Sequence, residues 1–324
     1  MQGAFNLRPV PCGGNNRVFE LHAGPEKLFL KSYFRHIKDT RDRLDAEFGF
    51  ISFAWQQGIR LTPKPIAIDR DHHLGLYEFI EGDHLKPDDV NKDAIHQAIK
   101  FYRALNRNKN NSLALVLPHA SEACFSIKAH VLLVDQRLKR LQKMNIDDAI
   151  TKAALKFIHK ELTPMWKKIK TTLLRRLSAK RLNKKQPLAL AERCLSPSDF
   201  GFHNALCQDS GELRFIDFEY AGWDDPAKLV CDFFCQPAVP VPFKFFSTFQ
   251  TAIASQFTEQ KRVIDRINLL FPLYQLKWCC ILLNEFLPGG KARRVFAGEQ
   301  NHTIAQQKQL EKAHTLFLKI RTKE

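Results

Sequence analysis

The first eighty residues alternate short apolar runs with turn signals, which is the pattern of strands: "RVFELHA", a turn at Gly24-Pro25, "KLFLKSYF", and later "KPIAID" and "LGLYEFIEG". One segment between them, "RDRLDAEFGFISFAWQQG", has the period of a helix instead. After Gly82 the pattern changes. From about Asp93 to Lys180 apolar residues recur at three and four positions, as in "HVLLVDQRLKRLQKM", and two further helical stretches, "PLYQLKWCCILLNEF" and "TIAQQKQLEKAHTLFLKI", flank "LPGGKARR". There is no internal repeat and no low-complexity tract. The expected architecture is α+β. Residues 1-82 form a small antiparallel-sheet lobe with one main helix, residues 83-324 a larger and mostly helical lobe, and a cleft lies at the junction near Glu81-Gly82.

Composition narrows this picture a little. A chain of 324 residues with 44% hydrophobic and 26% charged residues is long enough to bury a core without staples, and its 26 phenylalanines are plentiful. Fifty lysines and arginines against 34 acids give a formal charge of +16, which favours anionic ligands such as nucleotides without choosing among them. The densest basic run, "WKKIKTTLLRRLSAKRLNKKQP", reads as a solvated helix face followed by a lysine-rich turn. Nucleic acid is not expected as a partner, and peripheral contact with an anionic membrane stays open as an alternative use of this run. The eight cysteines fit neither zinc-site spacing nor a disulfide framework, so they are expected to be buried thiols in a reducing compartment. "MQGAFNLRPVPCGG" lacks an apolar signal core and "LKWCCILLNEFLP" is too short and polar to cross a bilayer; a cytoplasmic location is the expectation.

Candidate chemistry concentrates in "LSPSDFGFHNAL", where Asp199, His203 and Asn204 share one short loop. Downstream, Asp209-Ser210-Gly211 predicts a hairpin turn. If it centres between Ser210 and Gly211, Asn204 falls opposite Asp217 at the open end. With Asp199 folded over the same point, two carboxylates and an amide oxygen make a cradle suited to Mg²⁺ and a phosphate. Taken singly, each of these residues is equally at home capping a turn or ending a strand. In "LFLKSYF" alternation puts Lys31 on a face with Phe29 and Tyr33, where an ammonium needs a carboxylate. On the helix, Leu44, Phe48, Ile51 and Trp55 form one stripe with Glu47 beside it, which makes Glu47 the natural partner. "CGGNNRVF" places Gly13, Gly14 and Asn15 ahead of a strand, a composition that lets backbone amides approach a phosphate or merely makes a turn. In "WDDPAKL", Asp224 or Asp225 reads as a helix cap before Pro226. His203 reads as structural.

In their order and spacing these residues resemble the aminoglycoside phosphotransferase and choline kinase family, relatives of the protein kinases, with "SDFGFHN" and "IDFEYAGWDDPAKL" as the specific part. The resemblance runs from about residue 8 to the C-terminal helices. It implies a bilobal protein-kinase-like fold and transfer of the γ-phosphoryl group of ATP to a hydroxyl of a small molecule such as a sugar or amino alcohol. By the same resemblance Asp199 is the base or orienter of that hydroxyl, Asn204 and Asp217 hold Mg²⁺, Lys31 oriented by Glu47 meets the α/β-phosphates, and Glu78, Phe79 and Ile80 offer backbone groups to adenine. The strongly basic chain points to a neutral or anionic acceptor. One departure stands out: the family usually has histidine two residues before the aspartate, and here that position is Pro197. This leaves a nucleotide-binding pseudokinase with a regulatory or scaffold role as one alternative. The basic run leaves an envelope-polysaccharide-directed kinase as the other.

Overall fold

The computed structural model describes residues 5–10, 16–35, 41–288, 296 and 302–321. Gly13, Gly14 and Asn15 lie outside the described residues. The chain divides into two compact units: Met1–Ser121 with Cys194–Trp223 and Arg293–Glu299, and Glu122–Arg193 with Asp224–Ala292 and Gln300–Glu324. The strand-to-helix change near Gly82 thus falls inside the first unit.

That unit is built on a five-stranded antiparallel sheet of order β1-β2-β3-β5-β4, with β1 Phe5–Pro9, β2 Arg17–Ala23, β3 Glu26–Ser32, β4 Pro65–Asp69 and β5 Leu74–Glu78. β2 and β3 are a hairpin closed by Gly24 and Pro25, and Gly24 at φ 61° supplies the conformation a tight hairpin turn needs first. β3 is the central strand, and Lys31 on it faces Val18 on one side and Gly75 on the other. The sequence pattern did not anticipate β1, an exposed edge strand ending in proline. Helix α1, Arg43–Gln56, is capped by Asp42, whose side chain accepts from the Asp45 amide. It buries Leu44, Phe50, Ile51, Phe53 and Ala54 and carries Glu47 on that same face.

A second, three-stranded sheet has the order β6-β8-β9, with β6 Asp83–His84, β8 Ala205–Cys207 and β9 Leu213–Phe215. Gly82 leads into β6 at φ 153°, where a Cβ would sit 2.8 Å from the Cys207 carbonyl oxygen, so only glycine lets the strand approach β8. Helix α2, Lys92–Arg107, lies in the same unit and contributes Phe101 to an aromatic column. Phe101 stacks on Phe215 at 4.5 Å and touches Phe200 and Phe218, while Phe218 stacks on Phe50 of α1 at 5.4 Å. Asn106 of α2 clamps the Leu195 backbone, accepting from its amide at 2.8 Å and donating to its carbonyl at 3.0 Å. Leu195 belongs to β7, Cys194–Ser196, the strand that precedes the Asp199 loop. A short helix α3, Ser112–Leu115, completes the described helices here, and its Ala114 carbonyl accepts from the Trp223 indole. Trp223 lies on β10, Gly222–Asp224, which pairs with β7.

The second unit is helical: α4 Ile127–Leu141, α5 Ala149–Phe157, α6 Thr163–Ala179, α7 Pro226–Cys235, α8 Phe246–Ala254, α9 Gln260–Leu282 and α10 His302–Arg321. A π-helical turn at Ile158–Leu162 joins α5 to α6. On α6 the residues Trp166, Ile169, Leu173 and Leu177 are buried while Lys167, Lys168, Arg175 and Arg176 are exposed. The basic run is therefore the solvated face of an amphipathic helix. α9 begins twelve residues before Pro272 and runs through it, so proline did not mark the helix start there. As expected, Asp225 caps α7 ahead of Pro226; it is also buried between His130 and Arg266. The seven cysteines among the described residues are free thiols, and six are buried. Among the described residues no helix is long and apolar enough to cross a membrane.

Candidate active site

The site lies within the first unit and is organised around Lys31. Its ammonium is buried and donates to Glu47 Oε2 at 2.7 Å and to Asp217 Oδ1 at 2.5 Å. Burial alone would depress the lysine, but Asp217 and Glu47 hold it charged and well above the usual lysine range. Glu47 is saturated with donors: Oε2 also accepts from Tyr33 Oη at 2.7 Å, and Oε1 accepts from the Phe218 amide at 3.0 Å. The Tyr33 proton being committed there, Tyr77 Oη at 2.8 Å donates to Tyr33. The pair that strand alternation and helix angle anticipated is formed, and it is formed between buried groups.

Asp217 reaches Lys31 by a route the sequence did not predict. The hairpin pairs Ala205 with Phe215, Leu206 with Arg214 and Cys207 with Leu213. Asn204 therefore sits opposite Ile216, whose amide donates to the Asn204 carbonyl at 3.0 Å, and not opposite Asp217. The reason is the turn. Gln208 and Glu212 close a three-residue loop in which Gly211 takes φ 81°, so the centre falls on Ser210 and the register moves by one. A slip of one would send the Asp217 side chain to the other face. Asp217 instead leaves the strand with φ 66°, a left-handed conformation that aspartate tolerates better than most residues, and this kink aims its carboxylate at Lys31.

Asp199 is held by its own loop. Ser198 has φ 66°, the Asp199 amide donates to the Pro197 carbonyl at 2.9 Å, and Asn204 Nδ2 donates to the Asp199 carbonyl at 2.9 Å. His203 Nε2 lies 3.2 Å from Asp199 Oδ1. The imidazole is largely buried; burial works against its charged form, yet the Asp199 carboxylate raises it above its ordinary value. Sequence reasoning gave His203 no part in the site. It also missed Glu219, whose buried carboxylate accepts from Asn16 Nδ2 at 2.7 Å and from Arg43 Nη1 at 3.4 Å. One signal was available, since Arg43 lies four residues before Glu47 and shares its face of α1.

Of the segment at the end of β5, Glu78 is already engaged. Its amide donates to the Lys64 carbonyl at 2.9 Å, and its carboxylate accepts from the Lys64 amide and from Arg214. Phe79 lies under the Lys27 ammonium at 3.9 Å, and Ile80 is buried.

A sequence model of the phosphotransferase enzyme family, APH, matches residues 6–235. The chain belongs to that family. No curated protein matches this phosphotransferase by sequence. Among solved structures it is similar to a choline/ethanolamine kinase family protein from Mesorhizobium loti, with 15% identity, a TM-score of 0.59 and coverage of 96% of this chain and 87% of that one. It is similar also to an ethanolamine kinase of Plasmodium vivax, with 14% identity, a TM-score of 0.60 and coverage of 98% and 83%. A spectinomycin phosphotransferase crystallised with ADP and spectinomycin matches with 12% identity, a TM-score of 0.55 and coverage of 96% and 92%. The likeness establishes the protein-kinase-like fold for this phosphotransferase.

The oxygen donors present fit a hard divalent cation. With its amide nitrogen committed to the Asp199 carbonyl, Asn204 turns its Oδ1 the other way. Asp217 shares one lysine with Glu47 and has Glu219 nearby; burial and these two acids push its carboxyl up, against the pull of Lys31. A carboxylate crowded by carboxylates and half open to solvent is one that a Mg²⁺ ion would relieve. Among the described residues there is no cluster of three or more histidine, cysteine, aspartate and glutamate side chains that could hold a metal ion, so a cation here would take Asp217 and the Asn204 amide oxygen together with phosphate and water.

Proposed function

We propose that this phosphotransferase moves the γ-phosphoryl group of ATP to a hydroxyl of a small molecule, a sugar, amino alcohol or related metabolite. The observation that carries the reading is the buried Lys31 held between Glu47 and Asp217, a cation fixed and polarised beside an acid that lacks a full complement of counter-charge. Lys31, oriented by Glu47, binds the α/β-phosphates; Asn204 and Asp217 hold Mg²⁺; Asp199 receives the hydroxyl proton. The acceptor oxygen forms a bond to the γ-phosphorus as the bond from that phosphorus to the β,γ-bridging oxygen breaks, and ADP departs with the bridging electrons. Bound Mg²⁺ supplies charge neutralisation at the phosphates. This chain contributes position and fixed charge. The amides of Gly13, Gly14 and Asn15 are assigned to the phosphates on the composition of their segment, and the backbone from Glu78 to Ile80 to adenine on the family resemblance.

Net charge supports a neutral or anionic acceptor rather than a polycation. The test is a panel of hydroxyl metabolites incubated with Mg-ATP and read by mass spectrometry for the gain of one phosphoryl group, with Asp199→Asn in parallel. A phosphorylated product that disappears in the variant supports the reading. Tight Mg-ATP binding with no product from any acceptor would instead favour a regulatory nucleotide-binding protein, the alternative raised by Pro197.

A further inference from the structure

His203 has no role in the scheme above, yet its placement is unusual for a packing residue. It sits in a 3-10 turn, Phe202–Asn204, with Nε2 3.2 Å from Asp199 Oδ1 and only 18% of its side chain exposed. Nδ1 is buried, and among the described residues it has no hydrogen-bond partner. A buried unsatisfied ring nitrogen carries a desolvation penalty that a phenylalanine in the same space would not. Among the described residues the side-chain bond made in return is to Asp199. On the other side of the loop, Pro197 has no side-chain donor to offer, at the position where the resembling family carries histidine.

We propose that His203 is the positioning residue for Asp199: its Nε2–H fixes the carboxylate through Oδ1 and so directs the carboxylate towards the acceptor hydroxyl. This rests on the reading of Asp199 under Proposed function. A carboxylate held at one oxygen loses its rotation about χ2, and the backbone bonds from Asn204 and to Pro197 hold the remaining freedom of the residue. The loop therefore anchors Asp199 from four residues downstream, with histidine and asparagine adjacent in sequence gripping its side chain and its carbonyl in turn. Loss of such an orienting bond costs turnover and leaves nucleotide binding untouched.

The test compares wild type, His203→Phe, His203→Gln and Asp199→Asn for Mg-ATP turnover, KM for Mg-ATP and thermal midpoint. The expected result is a fall in kcat of roughly 10- to 100-fold in His203→Phe with KM and midpoint unchanged, and recovery of most of that loss in His203→Gln, whose amide still donates. Wild-type turnover in His203→Phe alongside an inactive Asp199→Asn overturns the proposal and leaves the function standing. A second measurement works without turnover: the imidazole ¹⁵N signals of His203, assigned by their loss in His203→Gln, shift in Asp199→Asn. Signals that stay put refute the pairing, whereas the absence of any turnover with the shift intact counts against the proposed function alone.

Discussion

Replacing Asp217 with asparagine is expected to leave the fold as stable as before, or more so, while removing its response to divalent cations. The folded carboxyl of Asp217 is raised above its ordinary value, so the native state prefers it protonated, and its ionised form at neutral pH subtracts from stability. Asparagine removes that charge and suits φ 66° at least as well as aspartate. With 36% of the Asp217 side chain exposed, solvent screens the effect to below ~1 kcal/mol. Lys31→Met makes the contrast. Among the described residues it leaves Glu47, 5% exposed, without a counter-charge and with Tyr33 and the Phe218 amide as its remaining donors. Orphaning a buried carboxylate in this way costs on the order of 3–5 kcal/mol. At a urea slope of about 2–3 kcal/mol per molar, the midpoint falls by more than ~1 M. Equilibrium urea unfolding, with and without Mg²⁺ and nucleotide, measures both variants. An Asp217→Asn protein that loses as much stability as Lys31→Met, or that keeps the wild-type midpoint increase with Mg-nucleotide, would refute the reasoning.

Asp199→Asn is expected to lower turnover by roughly 10²- to 10⁴-fold while Mg-ATP affinity, read by calorimetry, stays at the wild-type level. In the second unit, burial tends to raise Glu122, but Arg137 brings its carboxyl down to about 2 from an ordinary 4.5. A depressed acid stabilises the fold above its unfolded value and loses that contribution as pH falls, so urea midpoints drop between about pH 5 and pH 2, and Arg137→Met flattens that drop by on the order of 3 kcal/mol. Gly75→Ala places a Cβ within 2.6–2.9 Å of the Tyr77 ring, which is fully buried and bonded to Tyr33; a loss of about 1–3 kcal/mol is expected by urea unfolding. Gly211→Ala strains the hairpin loop at φ 81° and costs about 1 kcal/mol by the same measurement, with no change in turnover.

Much of this was legible because local periodicity reports local structure. β2 was read in full, α1 to within two residues at each end, and Lys31 with Glu47 followed from counting positions on a strand and a helix. β1 escaped because an exposed edge strand buries no alternating face, so nothing in its sequence marks it. The hairpin register was misjudged by one because "DSG" alone does not say whether the loop holds two residues or three; Gly211 in a left-handed conformation decides it. Arg43 and Glu219 were invisible for a different reason: they meet each other 176 positions apart, and Glu219 also takes Asn16 from 203 positions away, so no window along the chain contains either contact. His203 lies four residues from Asp199, well within a window, but a histidine in a loop does not by itself say which way its ring turns.

Glu47 grips two things with one carboxylate: the lysine through Oε2 and the backbone just beyond Asp217 through Oε1. Because both bonds hang from one rigid group on α1, the helix cannot drift from one without releasing the other. On the proposed reading, phosphate contact through Lys31 and cation contact through Asp217 would then be interlocked: a displacement of α1 would loosen both in a single motion.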